Sequence, residues 1–197
     1  AVIVSSRWTT KLYPVPGKID DFLYTNEMGT TERGGFLERD FRAINDRGDL
    51  TIDAGAKRKA MFDFLSHLTG TGKVVYLIDP VPETAVNVFN RNAHHYNFEG
   101  RVLDEITISA RNYLNRNQLV LSWFDAFDAP NLKRVRTFDR FCTLGDAGRC
   151  YVQKDTKPLY YDDDHLSYEG AKLVIDGIVQ DLMSQQAKPD QVMNKLQ

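Results

Sequence analysis

Two rhythms of apolar residues alternate along this chain: short runs of the kind strands use, and longer stripes at helical spacing. The first run, Val2-Ile3-Val4 leading into Ser5-Ser6, is β-branched and ends in polar residues, which predicts a buried strand over 2–6 whose carboxyl end opens onto a loop. Residues 9–50 carry Pro14, Pro16, Gly17, Gly29, Gly34, Gly35 and Gly48 among many charges, and predict an irregular surface connection with one short helix near 36–44. Ala56, Ala60, Met61, Phe64, Leu65 and Leu68 then recur at helical spacing, with Thr51 or Asp53 as N-cap and Gly70 or Gly72 as the stop. Val74-Val75-Tyr76-Leu77-Ile78 is apolar on both alternations, the mark of a central parallel strand covered on both faces. Asp79-Pro80-Val81-Pro82-Glu83 must end it, because proline cannot donate to a sheet ladder.

A second helix is expected from an N-cap at Ser109 through Leu114, Leu121 and Phe124 toward Phe127, closed by Ala129-Pro130; its inner stretch Leu119-Val120-Leu121 also fits a strand. A short strand over 134–139, a hairpin joining Tyr151-Val152 to Leu159-Tyr160, and a final helix from Ser167 to about 185 complete the order, the last with Ala171, Val174, Ile175, Ile178, Val179 and Leu182 on one stripe. Strands alternating with helices predict an α/β layered domain over 1–185, followed by a polar tail over 186–197. In such sheets ligands bind at the carboxyl edges of the strands.

Composition narrows the function without naming it. A formal net charge of −2 with interspersed signs gives no basic stripe for phosphates, so nucleic acid is not an expected partner. No apolar run approaches the roughly 20 residues that cross a bilayer. The two cysteines, Cys142 and Cys150, flank a loop containing Gly145 and Gly148 that can fold back on itself. A disulfide there would add on the order of 2–3 kcal/mol and imply an oxidising compartment; the alternative is two unlinked buried thiols. Two thiols with no nearby His are half a zinc site, and no cofactor is expected.

The candidate chemistry lies in Tyr160-Tyr161-Asp162-Asp163-Asp164-His165-Leu166-Ser167-Tyr168-Glu169-Gly170-Ala171. A turn before a helix can let Asp162 accept a hydrogen bond from His165 Nδ1, leaving Nε2 to take a proton from a hydroxyl nucleophile. Two other readings stay open on the residues alone. Three aspartates at a helix start are a favourable charged first turn, and carboxylates with an imidazole are metal donors, though adjacent ones point apart. His67 near a helix end, and His94-His95 in an expected polar loop, suit surface positions.

With Pro158 and Leu159, this string strongly resembles the last sequence block of SGNH-type domains fused to membrane acyltransferases of the acyltransferase family three. Val2 to Trp8 resembles that family's strand ending in Arg-Trp, and Val75 to Glu83 its strand followed by Pro-x-Pro-Glu. Thr107-Ile108-Ser109, Arg116-Asn117, Val135 to Asp139 and the Cys142/Cys150 pair follow in the same order. The resemblance implies a three-layer α/β/α sandwich, flavodoxin-like, with a mostly parallel sheet lacking its first strand. It implies His165 as base, Asp162 as its orienting acid, and a disulfide between Cys142 and Cys150.

The resemblance further implies a periplasmic domain of a bacterial inner-membrane protein, with an upstream transmembrane acyltransferase domain, an acyl donor and a glycan acceptor as partners. The family's nucleophile sits in a Gly-Asp-Ser block after the first strand. Here Ser5 and Ser6 precede Arg7-Trp8, and Gly145-Asp146 is followed by Ala147, so the Ser is expected upstream of this sequence and these residues alone are expected to be inactive. Arg7 and Trp8 occupy the neighbourhood of the superfamily's oxyanion Asn. Arg7 is thus an oxyanion or substrate-binding candidate, or an ordinary strand-end ion pair, and Trp8 a sugar-stacking ring or core. A stand-alone SGNH esterase and a non-catalytic glycan-binding or scaffold domain are the alternatives.

Overall fold

The computed structural model describes residues 1–6, 8, 23–25, 31–33, 54–84, 87–143, 148–162 and 165–186. Arg7, the helix expected near 36–44, the caps Thr51 and Asp53, Asp163, Asp164 and the tail beyond 186 lie outside the described residues.

Strand β4 (Val75–Ile78) organises the molecule. It pairs in parallel with β1 (Val2–Val4) on one side and β6 (Leu132–Val135) on the other, in the order β1-β4-β6. All four of its side chains are buried, and successive strand residues point to opposite faces, so each face has its own core. Val75 and Leu77 pack with Val4, Trp8, Met61 and Leu65 of α1 (Ala54–Gly70), and Val120, Trp123 and Phe124 of α3 (Ala110–Asp125). Tyr76 and Ile78 pack on the other face with Val88, Ile106, Ile108, Phe141, Val152, Tyr160, and Val174 and Ile178 of α5 (Tyr168–Gln186). Helices on both faces of a mostly parallel sheet make the α/β sandwich that the sequence predicts. Each fully buried Leu or Val contributes about 1.5–3 kcal/mol to it.

The second helix forms as expected from its cap: Ser109 is extended and its hydroxyl accepts the Asn112 N–H at 3.3 Å, and Leu119-Val120-Leu121 is helical. Four expectations change. The first strand ends at Val4, and its faces differ: Val4 is buried with Trp8 and Leu65 while the alternate residue Ile3 is exposed. The strand expected over 134–139 is β6, ending at Val135, after which Phe138–Phe141 forms a short helix, α4. Within the stretch read as irregular, β2 (Leu23–Thr25) and β3 (Thr31–Arg33) pair antiparallel. His94 and His95 lie on helix α2 (Val88–Glu99) rather than in a loop.

Helix α2 has ordinary caps. Asn87 Oδ1 accepts the Asn90 N–H at 2.9 Å, and Gly100 closes the helix in the left-handed region at φ 71°. What it lacks is an apolar stripe. Its buried side chains are Val88 and Asn92, and Asn92 docks through a polar knot: it donates to Gln153, accepts the Leu103 N–H at 3.2 Å, and Gln153 bonds the Leu103 carbonyl.

A second, antiparallel sheet runs β5-β7-β8, with β5 Ile106–Ser109, β7 Arg149–Lys154 and β8 Lys157–Pro158. Asp155 and Thr156 turn the β7–β8 hairpin with φ 50° and 60°, the two left-handed residues that a tight hairpin loop requires. Cys142 and Cys150 are joined by a disulfide and face each other across an antiparallel bridge, so the pairing proposed from the spacing forms.

Candidate active site

The dyad stands on a turn stitched at three levels. Leu159 extends the hairpin by donating to Val152 O at 2.9 Å, and accepts the Ser167 N–H at 2.9 Å. Tyr160 and Leu166 form an antiparallel bridge, and the Tyr161 N–H reaches His165 O at 2.7 Å. Below the turn, Ser167 starts α5: its hydroxyl donates to Pro158 O at 2.6 Å and accepts the Gly170 N–H at 3.2 Å, and its carbonyl accepts the Ala171 N–H at 2.8 Å. Gly170 is required there by close approach, since a β-carbon at that position would lie 2.0 Å from Leu159 O.

On this frame Asp162 takes both hydrogen bonds that His165 can offer it. Oδ1 accepts the backbone N–H at 2.7 Å and Oδ2 lies 2.8 Å from the ring Nδ1. A carboxylate only accepts, so Nδ1 carries a proton, and in the neutral imidazole this puts the lone pair on Nε2. The imidazole side chain is 71% exposed and the carboxylate 38%. The structure therefore brings together Asp162 and His165, the two residues that sequence spacing singled out.

The carboxyl end of β4 builds a separate buried polar cluster. Asp79 is held by Arg134 through two contacts, Oδ1 to Nε at 2.6 Å and Oδ2 to Nη2 at 3.1 Å, and Arg134 also pairs with Asp125. Burial nonetheless pushes the Asp79 carboxyl up, against the pull of the guanidinium. Pro80 O accepts from Tyr113 Oη at 2.9 Å and Thr137 Oγ1 at 2.5 Å, and burial pushes the Tyr113 phenol up. Glu83, the acid of the Pro-x-Pro-Glu turn, forms a buried ion pair with Arg116 of α3. Beside it the Tyr160 phenol is fully buried and pushed well up by burial, then by Tyr113 and Glu83.

The remaining candidates separate from this centre. Trp8 is core: its indole N–H donates to Ile78 O at 2.8 Å, its ring meets Phe124 edge-on, and it has no face for a sugar. His67 lies in the last turn of α1. His95 bonds Arg101 O through Nδ1 at 2.8 Å and pairs with Glu99 at 3.2 Å, while His94 packs on Phe98. Among the described residues no three His, Cys, Asp or Glu side chains converge as metal donors, and no helix is long and apolar enough to cross a membrane.

Sequence reasoning missed the Glu83–Arg116 pair and the burial of Tyr160. Glu83 and Arg116 both lie in family-like blocks, Pro-x-Pro-Glu and Arg116-Asn117, but only the fold joins them.

No curated protein and no solved structure matches the chain. A protein-family model does, over residues 1–180, and its description is an SGNH domain fused to AT3 domains. With that match spanning β1 through most of α5, and with the Asp–His turn in place at its end, the chain belongs to the SGNH domain family of the kind fused to AT3 domains.

Proposed function

We propose that this chain is part of a periplasmic O-acyltransferase domain that transfers an acyl group, acetyl in the simplest case, onto cell-surface glycans such as lipopolysaccharide O-antigen. The observation that carries the reading is the 2.8 Å contact between His165 Nδ1 and Asp162 Oδ2. His165 Nε2 takes the proton of a Ser hydroxyl, which lies outside this sequence, as that oxygen attacks the donor carbonyl. The donor's leaving group departs with that proton, and an acyl-enzyme remains. A glycan hydroxyl then loses its proton to Nε2 and attacks the acyl carbon; the Ser Oγ–carbonyl bond breaks and Ser leaves with the proton returned from Nε2. Asp162 fixes the tautomer and stabilises the imidazolium at both steps. Arg7, three positions after β1 in sequence, is the candidate for holding the oxyanion or the substrate.

The test is the O-acyl content of surface glycan in cells whose intact protein carries His165→Ala or Asp162→Asn. His165→Ala is expected to lower transfer at least about 10³-fold. Undiminished O-acylation by that variant would refute the assignment. Release of free acid with no glycan product would identify the esterase alternative, in which water replaces the sugar.

A further inference from the structure

Tyrosine and phenylalanine rings carry large apolar areas and are normally drawn inside. Tyr161 and Phe89 are not: they are 68% and 47% exposed, packed on each other with ring centroids 5.8 Å apart and planes tilted by 53°. Tyr161 belongs to the dyad turn and Phe89 to the first turn of α2, so the pair spans the turn and the helix that follows the β4 loop.

The backbone fixes where this pair stands relative to the base. Hydrogen bonds from the Tyr161 N–H to His165 O and from the Ser167 N–H to Leu159 O flank the Tyr160–Leu166 bridge, so Tyr161 and His165 are the next opposed residues. The 2.7 Å bond from the Tyr161 N–H to His165 O ties the two residues together directly across the turn. Tyr160 points into the core, while Tyr161 and His165 are both exposed to solvent.

We propose that Tyr161 and Phe89 form an acceptor subsite that stacks one pyranose ring of the glycan and presents its hydroxyl edge to His165; this rests on the acyl-transfer reading above. A pyranose has apolar C–H faces and a polar rim. Laid on an aromatic ring, it releases water from two apolar faces while its hydroxyls remain free to reach the imidazole alongside. The exposed surface is two tilted rings on the turn that carries Asp162 and His165, an area the size of one sugar. A stable protein partner needs about 800 Å² on each side.

The test is binding to the 197-residue chain, and it involves no catalysis. Methyl hexopyranosides and a neutral linear tetrasaccharide are titrated to tens of millimolar, with saturation transfer read on the sugar and shifts read on the protein's aromatic and imidazole signals. The expected result is saturation of C–H protons on one sugar face, with shifts at Tyr161, Phe89 and the His165 ring. Tyr161→Ala and Phe89→Ala should each weaken binding about 3- to 10-fold, and Tyr161→Phe should restore it. Both rings are exposed enough for the alanine variants to fold, and Tyr161→Phe controls for the turn. Shifts that survive loss of both rings, or no binding at all, overturn the subsite. So does a response of these rings to a short-chain acyl ester and not to sugars, which would give the surface to the donor. Any of these leaves the acyl-transfer reading to be judged by the His165 variants alone.

Discussion

At the scale of single residues, Tyr160 shows how firmly the dyad turn is seated. Its phenol is wholly inside, packed on Phe141, and its hydroxyl has no hydrogen-bond partner among the described residues. A buried donor left unmade costs about 1–3 kcal/mol, so Tyr160→Phe, which keeps the ring and removes the orphan, should raise the unfolding free energy by that order. Chemical denaturation of the two proteins measures it. A loss of more than about 1 kcal/mol would mean the hydroxyl is bonded and supports the turn directly. The sequence revealed the two residues on the outer side of this turn and not the one beneath it. Asp162 and His165 are polar and close in sequence, so their spacing speaks, whereas Tyr160 and Tyr161 are identical in type and only the strand pairing sends one inward and one outward.

Among elements, the junction between β8 and α5 carries the site. Gly170 lets the first turn of α5 lie directly against the backbone of Leu159, and the same two segments hold the ends of the Asp162–His165 turn. Gly170→Ala places a methyl where Leu159 O already sits at 2.0 Å, and backbone cannot rotate away as a side chain would. The variant should lose at least about 2 kcal/mol, the upper part of the usual range for overpacking, and the turn should shift with the helix. Thermal denaturation reads the first effect, and loss of the His165 Nδ1–H signal in proton NMR reads the second. A variant with native stability and an unchanged imidazole signal would show that the helix can slide without disturbing the dyad.

Elements with a strong period were legible: α1 and α5 from their stripes, β4 from its unbroken apolar run, α3 from its serine cap. Helix α2 was not, because it reaches the interior through Val88 and Asn92 without an apolar stripe, and its exposed face carries Phe89, Tyr96 and Phe98, which inverts the usual pattern. Strand β5 was equally silent, being only Ile-Thr-Ile-Ser running straight into a helix.

For the whole molecule, the two-sided sheet follows from β4 alone, since a strand buried on both alternations requires a layer on each face. What no local pattern could supply is how the layers are tied at the carboxyl edge. Arg134 does this, reaching from β6 to Asp79 at the end of β4 and to Asp125 at the end of α3. Taking away one partner of a buried ion pair leaves the other charge stranded, so Arg134→Met should cost about 3–5 kcal/mol at neutral pH.

The sign of the pH dependence follows from Asp79, whose carboxyl burial already raises even with Arg134 in place. Without the guanidinium it rises further, so the folded variant binds a proton at a pH where the unfolded chain does not. Stability is then greater below the ordinary carboxylate range and is lost as pH climbs through the raised value. The penalty of Arg134→Met, measured by urea unfolding against the parent, should therefore shrink as pH falls from neutral toward the ordinary carboxylate range. A penalty that stays constant or grows over that interval would mean that Asp79 is not the group left stranded, and that Arg134 holds the layers together through its packing on Phe124 and its contact with Asp125.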